Sequence, residues 1–202
     1  MVTCERDVQA FDDRAARYET GYRGQLHTDI VTRAVDLALG HCPSPQRVLD
    51  VGCGTGLLLR RLARRLPGAV SLTGIDAAPG MISQARAKSD DRRLTFVQGV
   101  AERLPFDDSS FDLVISTTSF DHWADQDAGL AECHRVLALR GSLVLADLFS
   151  GWLLPTLVGS RRDRARTPLR ATKLLAAAGF RSMAWHRLYG GIIRAVTASA
   201  SA

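Results

Sequence analysis

A short apolar strand that runs into three alternating glycines is the feature that most constrains this chain. Residues 48–56 read Val-Leu-Asp-Val-Gly-Cys-Gly-Thr-Gly, and a leucine-rich segment follows until Pro67-Gly68. The apolar run suits a buried parallel strand, and the leucine pattern suits a helix. Glycine permits positive φ and removes the Cβ atom that holds a ligand away from the main chain. The segment therefore predicts a strand–turn–helix unit whose turn and helix N-terminus accept a nucleotide-like ligand.

The glycine spacing separates two classes of nucleotide site. A dinucleotide fingerprint, GxGxxG, needs its third glycine at position 57, which is Leu. The motif is instead acidic-x-Gly-x-Gly-x-Gly, and on it the chain resembles the class I S-adenosylmethionine (SAM) dependent methyltransferases. The resemblance implies SAM as cofactor and S-adenosylhomocysteine as product. It assigns the cofactor to a first set of residues: Asp50, Gly52, Cys53, Gly54, Thr55 and Gly56.

An acidic residue follows the second predicted strand, Val70 to Ile75. Asp76 lies twenty residues beyond Gly56, where a Rossmann-like sheet places a carboxylate over ribose hydroxyls. Asp76 also fits a helix cap. The resemblance implies that Asp76 and Ala77 contact the cofactor and that Met81 covers the adenine, while ordinary core filling explains Met81 equally well.

The segment from Gln98 to Phe106, after the predicted strand Leu94 to Val97, resembles the family's segment that closes over the adenine and ends in Leu-Pro-Phe. The family usually carries an acid directly after the glycine, whereas this chain has Val100. The resemblance then implies one of three outcomes. The backbone of Val100 and Ala101 takes that role, the side chain of Glu102 takes it, or adenine is held less tightly.

The predicted strand Phe111 to Ser116 leads into a loop that ends at Trp123. Ligands of open α/β sheets bind outside the carboxyl ends of strands, so Ser116 and this loop should face the glycines. The loop lacks the Asn/Asp-Pro-Pro-aromatic and Pro-Cys runs of nucleobase enzymes and resembles that of small-molecule methyltransferases. His122, with Asp121 beside it, is the candidate base for a hydroxyl or carbon acid. Alternatively, His122 and Trp123 simply pack the loop.

Two helices are predicted before the first strand, Val8 to Tyr18 and Leu26 to Leu39, with Gly21 to Gly24 between them. In related small-molecule enzymes such a segment folds over cofactor and acceptor as a lid. The resemblance implies that Tyr18 contacts the SAM carboxylate or the substrate. A plain amphipathic helix docked on the domain explains the pattern almost as well.

The repeated strand–helix pattern predicts an α/β fold with a doubly wound, Rossmann-like sheet that is mostly parallel and covered by helices on both faces. The resemblance adds seven strands and an antiparallel last strand inserted beside the fifth. One domain is expected over 1–202, with a lid at 1–44, a core at 45–197 and a tail at 198–202. The later elements are predicted as a helix Asp125–Leu139, a strand Ser142–Phe149, a helix Pro168–Ala178, and strands Arg181–His186 and Ile192–Thr197.

The composition and charge of the chain indicate its cellular compartment and the kinds of partner that it can bind. No apolar stretch of about 20 residues and no secretion signal is present, which predicts a cytosolic protein without a membrane partner. Four cysteines without CxxC spacing imply neither a disulfide framework nor a metal site. The chain carries +5 overall, whereas residues 161–187 hold eight basic residues against one acidic residue, a net +7. That segment is a solvated surface or attracts an anionic substrate or RNA. Six of its eight basic residues lie within 161–173, where no aromatic residue interleaves with them, and this argues against nucleic acid.

An apolar patch lies between the fifth strand and the next helix, at Trp152, Leu153, Leu154, Leu157 and Val158. It lines an acceptor pocket, forms a homodimer contact or packs in the core. The whole pattern predicts methyl transfer from SAM to an anionic or apolar small molecule, mainly by proximity and in-line alignment. Two alternatives remain open: a SAM-binding protein without transferase activity, and an RNA methyltransferase that uses residues 161–187.

Overall fold

Helices and strands alternate along most of the chain. The computed structural model describes residues 3–69, 71–149 and 167–200. The helices are α1 (Thr3–Asp12), α2 (Gly21–His41), α3 (Leu57–Arg65), α4 (Pro79–Ala87), α5 (Gln126–Val136) and α6 (Pro168–Ala177), with short 3-10 helices at Ala15–Arg17 and Phe120–His122. The strands are β1 (Arg47–Val51), β2 (Ser71–Asp76), β3 (Leu94–Gln98), β4 (Phe111–Thr117), β5 (Leu137–Leu148), β6 (Phe180–Tyr189) and β7 (Ile193–Ala200).

The described residues form a seven-stranded sheet in the order β3-β2-β1-β4-β5-β7-β6. The first five strands of that order are mutually parallel, and β7 runs antiparallel between β5 and β6. The predicted α/β fold, its mixed sheet and the strand inserted beside the fifth are confirmed. The order reverses at β1 and β4, so the carboxyl ends of these two strands flank the crevice in which such sheets bind ligands.

Alternate residues of the central strands enter two apolar clusters, one on each face. Leu49 and Val114 pack with α5 and α6, whereas Val48, Leu113 and Ile115 pack with α2 and α3. This alternation follows from the pleat, which points successive side chains to opposite faces. Because both faces are apolar, helices must cover both of them, and the strand ends are held rigidly as a platform for the loops above.

The predicted start of the second helix was wrong. The residues Gly21 to Gly24 begin α2 rather than separating two helices. Gly24 packs against the preceding chain so closely that a Cβ atom there would lie 2.3 Å from the carbonyl carbon and oxygen of Glu19. The glycine is therefore a close-packing position inside the first turn of a helix.

The C-terminal boundaries also differ. Strand β5 begins at Leu137 instead of Ser142, since Arg140 adopts φ 63° and the pairing with β4 shifts register instead of ending. Strand β7 continues to Ala200 and takes in most of the predicted tail. The apolar patch at 152–158 and the basic residues at 161–166 lie outside the described residues, so the roles assigned to them stay predictions.

The described ranges contain neither a membrane-spanning helix nor a cluster of metal-binding side chains. No helix in them is long and apolar enough to cross a bilayer. The same part of the chain contains no group of three or more His, Cys, Asp or Glu side chains arranged to hold a metal ion.

Candidate functional site

A cavity of about 790 Å³, part of it open to solvent, lies at the carboxyl ends of β1, β2 and β4. Of the sixteen residues predicted for the site, eleven line the cavity: Tyr18, Gly52, Cys53, Gly54, Asp76, Ala77, Met81, Val100, Ala101, Glu102 and His122. The remaining wall comes from thirteen others: Asp7, Val8, Phe11, His27, Val51, Ile75, Ala78, Gly99, Thr117, Thr118, Ser119, Trp123 and Ala124.

The glycine loop after β1 is tied to the end of β2. The backbone N–H groups of Gly52 and Cys53 both donate to the carbonyl of Ile75, at 2.8 and 3.0 Å. Gly52 adopts φ 77°, and a Cβ atom there would lie 2.1 Å from Ser119 Oγ. Only glycine satisfies both the left-handed backbone and the close approach of Ser119. The loop is therefore held open toward the cavity between β2 and the loop that follows β4.

Both carboxylate oxygens of Asp76 accept hydrogen bonds from backbone N–H groups. Its Oδ2 accepts from the Gly54 N–H at 2.8 Å, and its Oδ1 accepts from the Ala78 N–H at 2.9 Å, at the entry to α4. Burial raises the pKa of Asp76, while these backbone hydrogen bonds oppose the rise. The carboxylate thus stabilises the glycine loop and caps a turn, and it still forms part of the cavity wall.

An apolar slot borders Asp76. Ile75, Met81 and Ala101 are buried on its walls, whereas Val100 is 41% exposed at its mouth. Met81 also packs against Ala15 in a small apolar cluster, so it contributes to the core and to the cavity together. Aliphatic side chains of this kind are common in the walls of small-molecule sites.

The carboxylate of Glu102 is already engaged beside that slot. Its Oε1 accepts from the Asp125 N–H at 3.0 Å, at the N-terminus of α5. A carboxylate accepts several hydrogen bonds, so this contact leaves Glu102 able to accept from a ligand as well. The alternatives left open by Val100 therefore stay predictions.

Five predicted residues do not line the cavity. Asp50 is buried beneath the loop, where burial first and then the nearby Asp76 raise its pKa to about 8. Gly56 forms the N-cap of α3, and Thr55 points away from the cavity to bond Glu19 at 2.5 Å. They contribute to the site by shaping the loop from below.

The other two lie near the end of β4. Ser116 is fully buried because the strand continues one residue past its predicted end, and its Oγ lies 2.9 Å from Ser119 Oγ. Asp121 lies beside His122 in sequence but not on the cavity wall. Its N–H donates to Asp147 Oδ2 at 3.2 Å.

Ser119 is the residue that joins these elements. Its Oγ donates to the Val51 carbonyl at 2.9 Å and lies 3.1 Å from Trp123 Nε1, which donates to it. Together with the Ser116 contact, three segments meet at one hydroxyl. Sequence reasoning missed this residue, although a serine three positions after a strand-end serine, in a loop expected to face the glycines, was an available signal.

His122 is paired with a residue from the N-terminal helix. Its Nδ1 lies 2.9 Å from Asp7 Oδ2, and the ring of Phe11 packs edge-on at 4.9 Å between centroids. The predicted pairing with the adjacent Asp121 is replaced by this long-range contact, because the 3-10 turn at Phe120–His122 directs the imidazole into the cavity toward α1.

Tyr18 and His27 complete the wall on the N-terminal side, with ring centroids 5.1 Å apart. Burial is the main cause that raises the pKa of Tyr18, and the charge of Asp76 adds to it. Burial lowers the pKa of His27, which favours the neutral imidazole. His27 was not predicted, since a lone histidine in a helix carries no motif.

An ion-pair cluster, called here the Glu19 cluster, holds this N-terminal segment to the sheet domain. Glu19 accepts from Thr55, from Arg60 at 2.9 Å and from Lys88 at 3.0 Å. Burial alone would raise the pKa of Glu19, but the hydrogen bonds from Thr55, Lys88 and Arg60 outweigh it and lower the value. The cluster connects the chain before α2 to the glycine loop, α3 and α4.

The strand-end residues Thr117 and Thr118 were also missed. Thr118 adopts φ 54°, an unusual conformation for a β-branched residue, and its N–H donates to the Ala146 carbonyl at 2.8 Å. The buried hydroxyl of Thr117 has no hydrogen-bond partner in the part of the chain that the structure describes. Both residues line the cavity.

Comparison with known proteins agrees with this geometry. A family model described as a methyltransferase domain matches residues 48–141. A malonyl-[acyl-carrier protein] O-methyltransferase of Geobacter sulfurreducens is 36% identical, over 91% of this chain and 73% of its own length. A demethylmenaquinone methyltransferase of Thermus thermophilus is 44% identical over 57% of this chain.

The match to that second relative spans about half of its length, 52%. Among solved structures, a SAM-dependent methyltransferase from Thermotoga maritima superposes with a TM-score of 0.71. It is 20% identical, and the alignment covers 94% of this chain and 97% of that one. The similarity to that structure concerns the fold.

Proposed function

Since this chain belongs to the SAM-dependent methyltransferases, we propose that it transfers a methyl group from SAM to a small molecule with an apolar body. The glycine loop, Asp76 and the apolar slot form one end of the cavity, and α1 and the loop after β4 form the other. SAM, when bound, supplies a methyl group on a positively charged sulfonium. The protein's task is then to hold that methyl group in line with a nucleophile, which is worth about 7–11 kcal/mol in favourable systems.

The observation that carries the proposal is the charge of the cavity wall. Three carboxylates line it, those of Asp7, Asp76 and Glu102, and no lysine or arginine is among the described lining residues. Such a wall attracts a cation and repels a pyrophosphate. It therefore fits a sulfonium cofactor and argues against a dinucleotide, in agreement with Leu57 at the position where a dinucleotide loop needs glycine.

The residues fit the parts of SAM as follows. Asp76 would accept hydrogen bonds from the ribose hydroxyls, and Met81, with the backbone of Val100 and Ala101, would enclose the adenine. The loop from Gly52 to Gly54, with Tyr18, would hold the amino-acid end. These assignments rest on the resemblance and on the positions of the residues around the cavity.

The same wall bears on the acceptor. Between the anionic and apolar acceptors expected from the sequence, the described lining favours the apolar class, because it offers aromatic and aliphatic side chains and no lysine or arginine. The relatives' names suggest demethylmenaquinone and malonyl-[acyl-carrier protein] as the first acceptors to assay, each with labelled SAM. If neither of these acceptors and no component of a metabolite extract is methylated, the alternative of a SAM-binding protein without transferase activity would be supported instead.

Calorimetric titration with SAM and with NAD tests the cofactor. We expect SAM to bind more tightly, and Asp76→Asn to weaken SAM binding by about 1–3 kcal/mol, or about 5- to 150-fold, the range for a lost hydrogen bond to a charged group. Asp90→Asn, an exposed acid away from the cavity, is the control and should bind as the wild type does. Tighter binding of NAD, or equal SAM affinity in both variants, would contradict the assignment.

A further inference from the structure

We propose that Asp7 is a positioning residue for His122, so that the base of the reaction is assembled from two distant segments only when α1 is docked. This inference rests on the proposed methyl transfer and narrows its acceptor class. It assigns to the site an acceptor whose nucleophile still carries a proton, such as a phenolic or enolic hydroxyl.

The hydrogen bond between Asp7 and His122 has a defined direction. Asp7 Oδ2 and His122 Nδ1 are 2.9 Å apart, and both residues line the cavity. An ionised carboxylate can only accept, so Nδ1 carries the hydrogen in this contact. The neutral imidazole then has its lone pair on Nε2. Asp7 therefore selects the tautomer in which the other ring nitrogen can accept a proton.

Helix α1 also holds the imidazole ring of His122 in place. Phe11, one turn after Asp7 on α1, packs edge-on against the imidazole at an interplanar angle of 88°. One helix thus supplies both the carboxylate and the aromatic contact. The side chains of His122 and Asp7 are 32% and 20% exposed, so the pair is partly shielded while His122 still reaches the cavity.

The imidazole of His122 lies among acidic groups from several elements. Besides Asp7 on α1, the carboxyl groups of Asp76 at the end of β2 and Asp147 on β5 interact with His122, and Asp121 adjoins it. No lysine or arginine is among the described residues that line the cavity.

In the step that follows, the acceptor O–H proton moves to His122 Nε2 while the oxygen electron pair forms a bond to the methyl carbon. The carbon–sulfur bond breaks with its electron pair on sulfur, which leaves neutral S-adenosylhomocysteine. The imidazolium, paired with the Asp7 carboxylate, then returns the proton to solvent.

The pairing also links the base to the closure of the cavity. Helix α1 is fixed to α4 by a hydrogen bond from the Gly80 N–H to the Asp12 carboxylate. The same docking places Asp7, Val8 and Phe11 on the cavity wall. When α1 leaves, the wall opens and His122 loses its tautomer-selecting partner together.

The test is the tautomer of His122, read by long-range ¹H–¹⁵N correlation spectra of full-length protein labelled with ¹⁵N-histidine. Spectra are recorded with S-adenosylhomocysteine at alkaline pH, and His122→Gln assigns the signal. We expect the Nδ1–H form in the wild type, its loss in Asp7→Ala, which removes the acceptor, and its retention in Asp7→Glu, which keeps a carboxylate. Asp13→Ala, which replaces an exposed acid just after α1 that accepts from Gln9, is the matched control and should leave the signal unchanged.

An Nε2–H tautomer in the wild type, or the same tautomer in wild type and Asp7→Ala, would overturn the proposal. Calorimetry with SAM on the same samples keeps the two hypotheses apart. Failure of the wild type to bind SAM counts against the proposed function, whereas SAM binding with an unchanged tautomer in Asp7→Ala counts against the positioning role alone.

Discussion

Replacing Glu19 by Gln removes the charge at the centre of the Glu19 cluster and keeps the shape of the side chain. Glu19 and Arg60 are 22% and 14% exposed, and Arg60 and Thr55 both direct donors at the carboxylate. A hydrogen bond to a charged group is worth about 1.5–3 kcal/mol, and less shielded pairs fall below this range. We expect the docking of the N-terminal segment to lose about that amount.

The assay is native-state hydrogen exchange of the amides in α1. A loss of about 1.5–3 kcal/mol in docking corresponds to opening about 10- to 150-fold more often, with smaller effects in β1 and β4. The control is Asp36→Asn, which breaks the ion pair to Arg65, where the side chains are 57% and 51% exposed. That change should cost no more than about 1 kcal/mol. Equal exchange in α1 for the two variants would refute the reasoning.

Two further predictions concern the loop and its foundation. Gly56→Ala should destabilise the fold by about 1–2 kcal/mol or more, because φ is 78° and the new Cβ would lie 2.7 Å from the ring of Phe96. Gly68→Ala, with nothing within 4 Å, should change the urea midpoint little, and equal midpoints would contradict the clash. Asp50 has its pKa raised from 3.8 to about 8, so the folded state holds an extra proton between those values and stability should fall as pH rises through that window. Asp50→Asn should flatten that fall in urea titrations at several pH values, and an unchanged slope would show that Asp50 is not its source.

The sheet and the cofactor half of the site could be predicted because their signals are local. The glycine loop, Asp76 and the Leu-Pro-Phe segment each follow a strand directly, and parallel strands bring their carboxyl ends to one edge. The roles of individual residues within a loop were harder to predict. One extra residue in β4 buries Ser116, the residue predicted for the site, and Ser119, which was not predicted, contacts the end of β1 instead.

The acceptor half could not be predicted because it depends on contacts far apart in the sequence. Asp7 and His122 are 115 residues apart, and no periodicity indicates that they meet. Adjacency in the sequence favours Asp121 as the partner of His122, yet the backbone direction in the 3-10 turn decides which way each side chain points. Only the docking of α1 supplies that information.

The order in which the chain leaves the ribosome gives the docked N-terminal segment one more consequence. Glu19 can pair with Lys88 only after 69 further residues have been synthesised, and Asp7 can pair with His122 only after 115, so both residues leave the ribosome well before their partners do. Contacts of such long sequence separation form late because the intervening chain must first be ordered. A nascent chain would therefore complete its cofactor crevice while the acceptor end is still open.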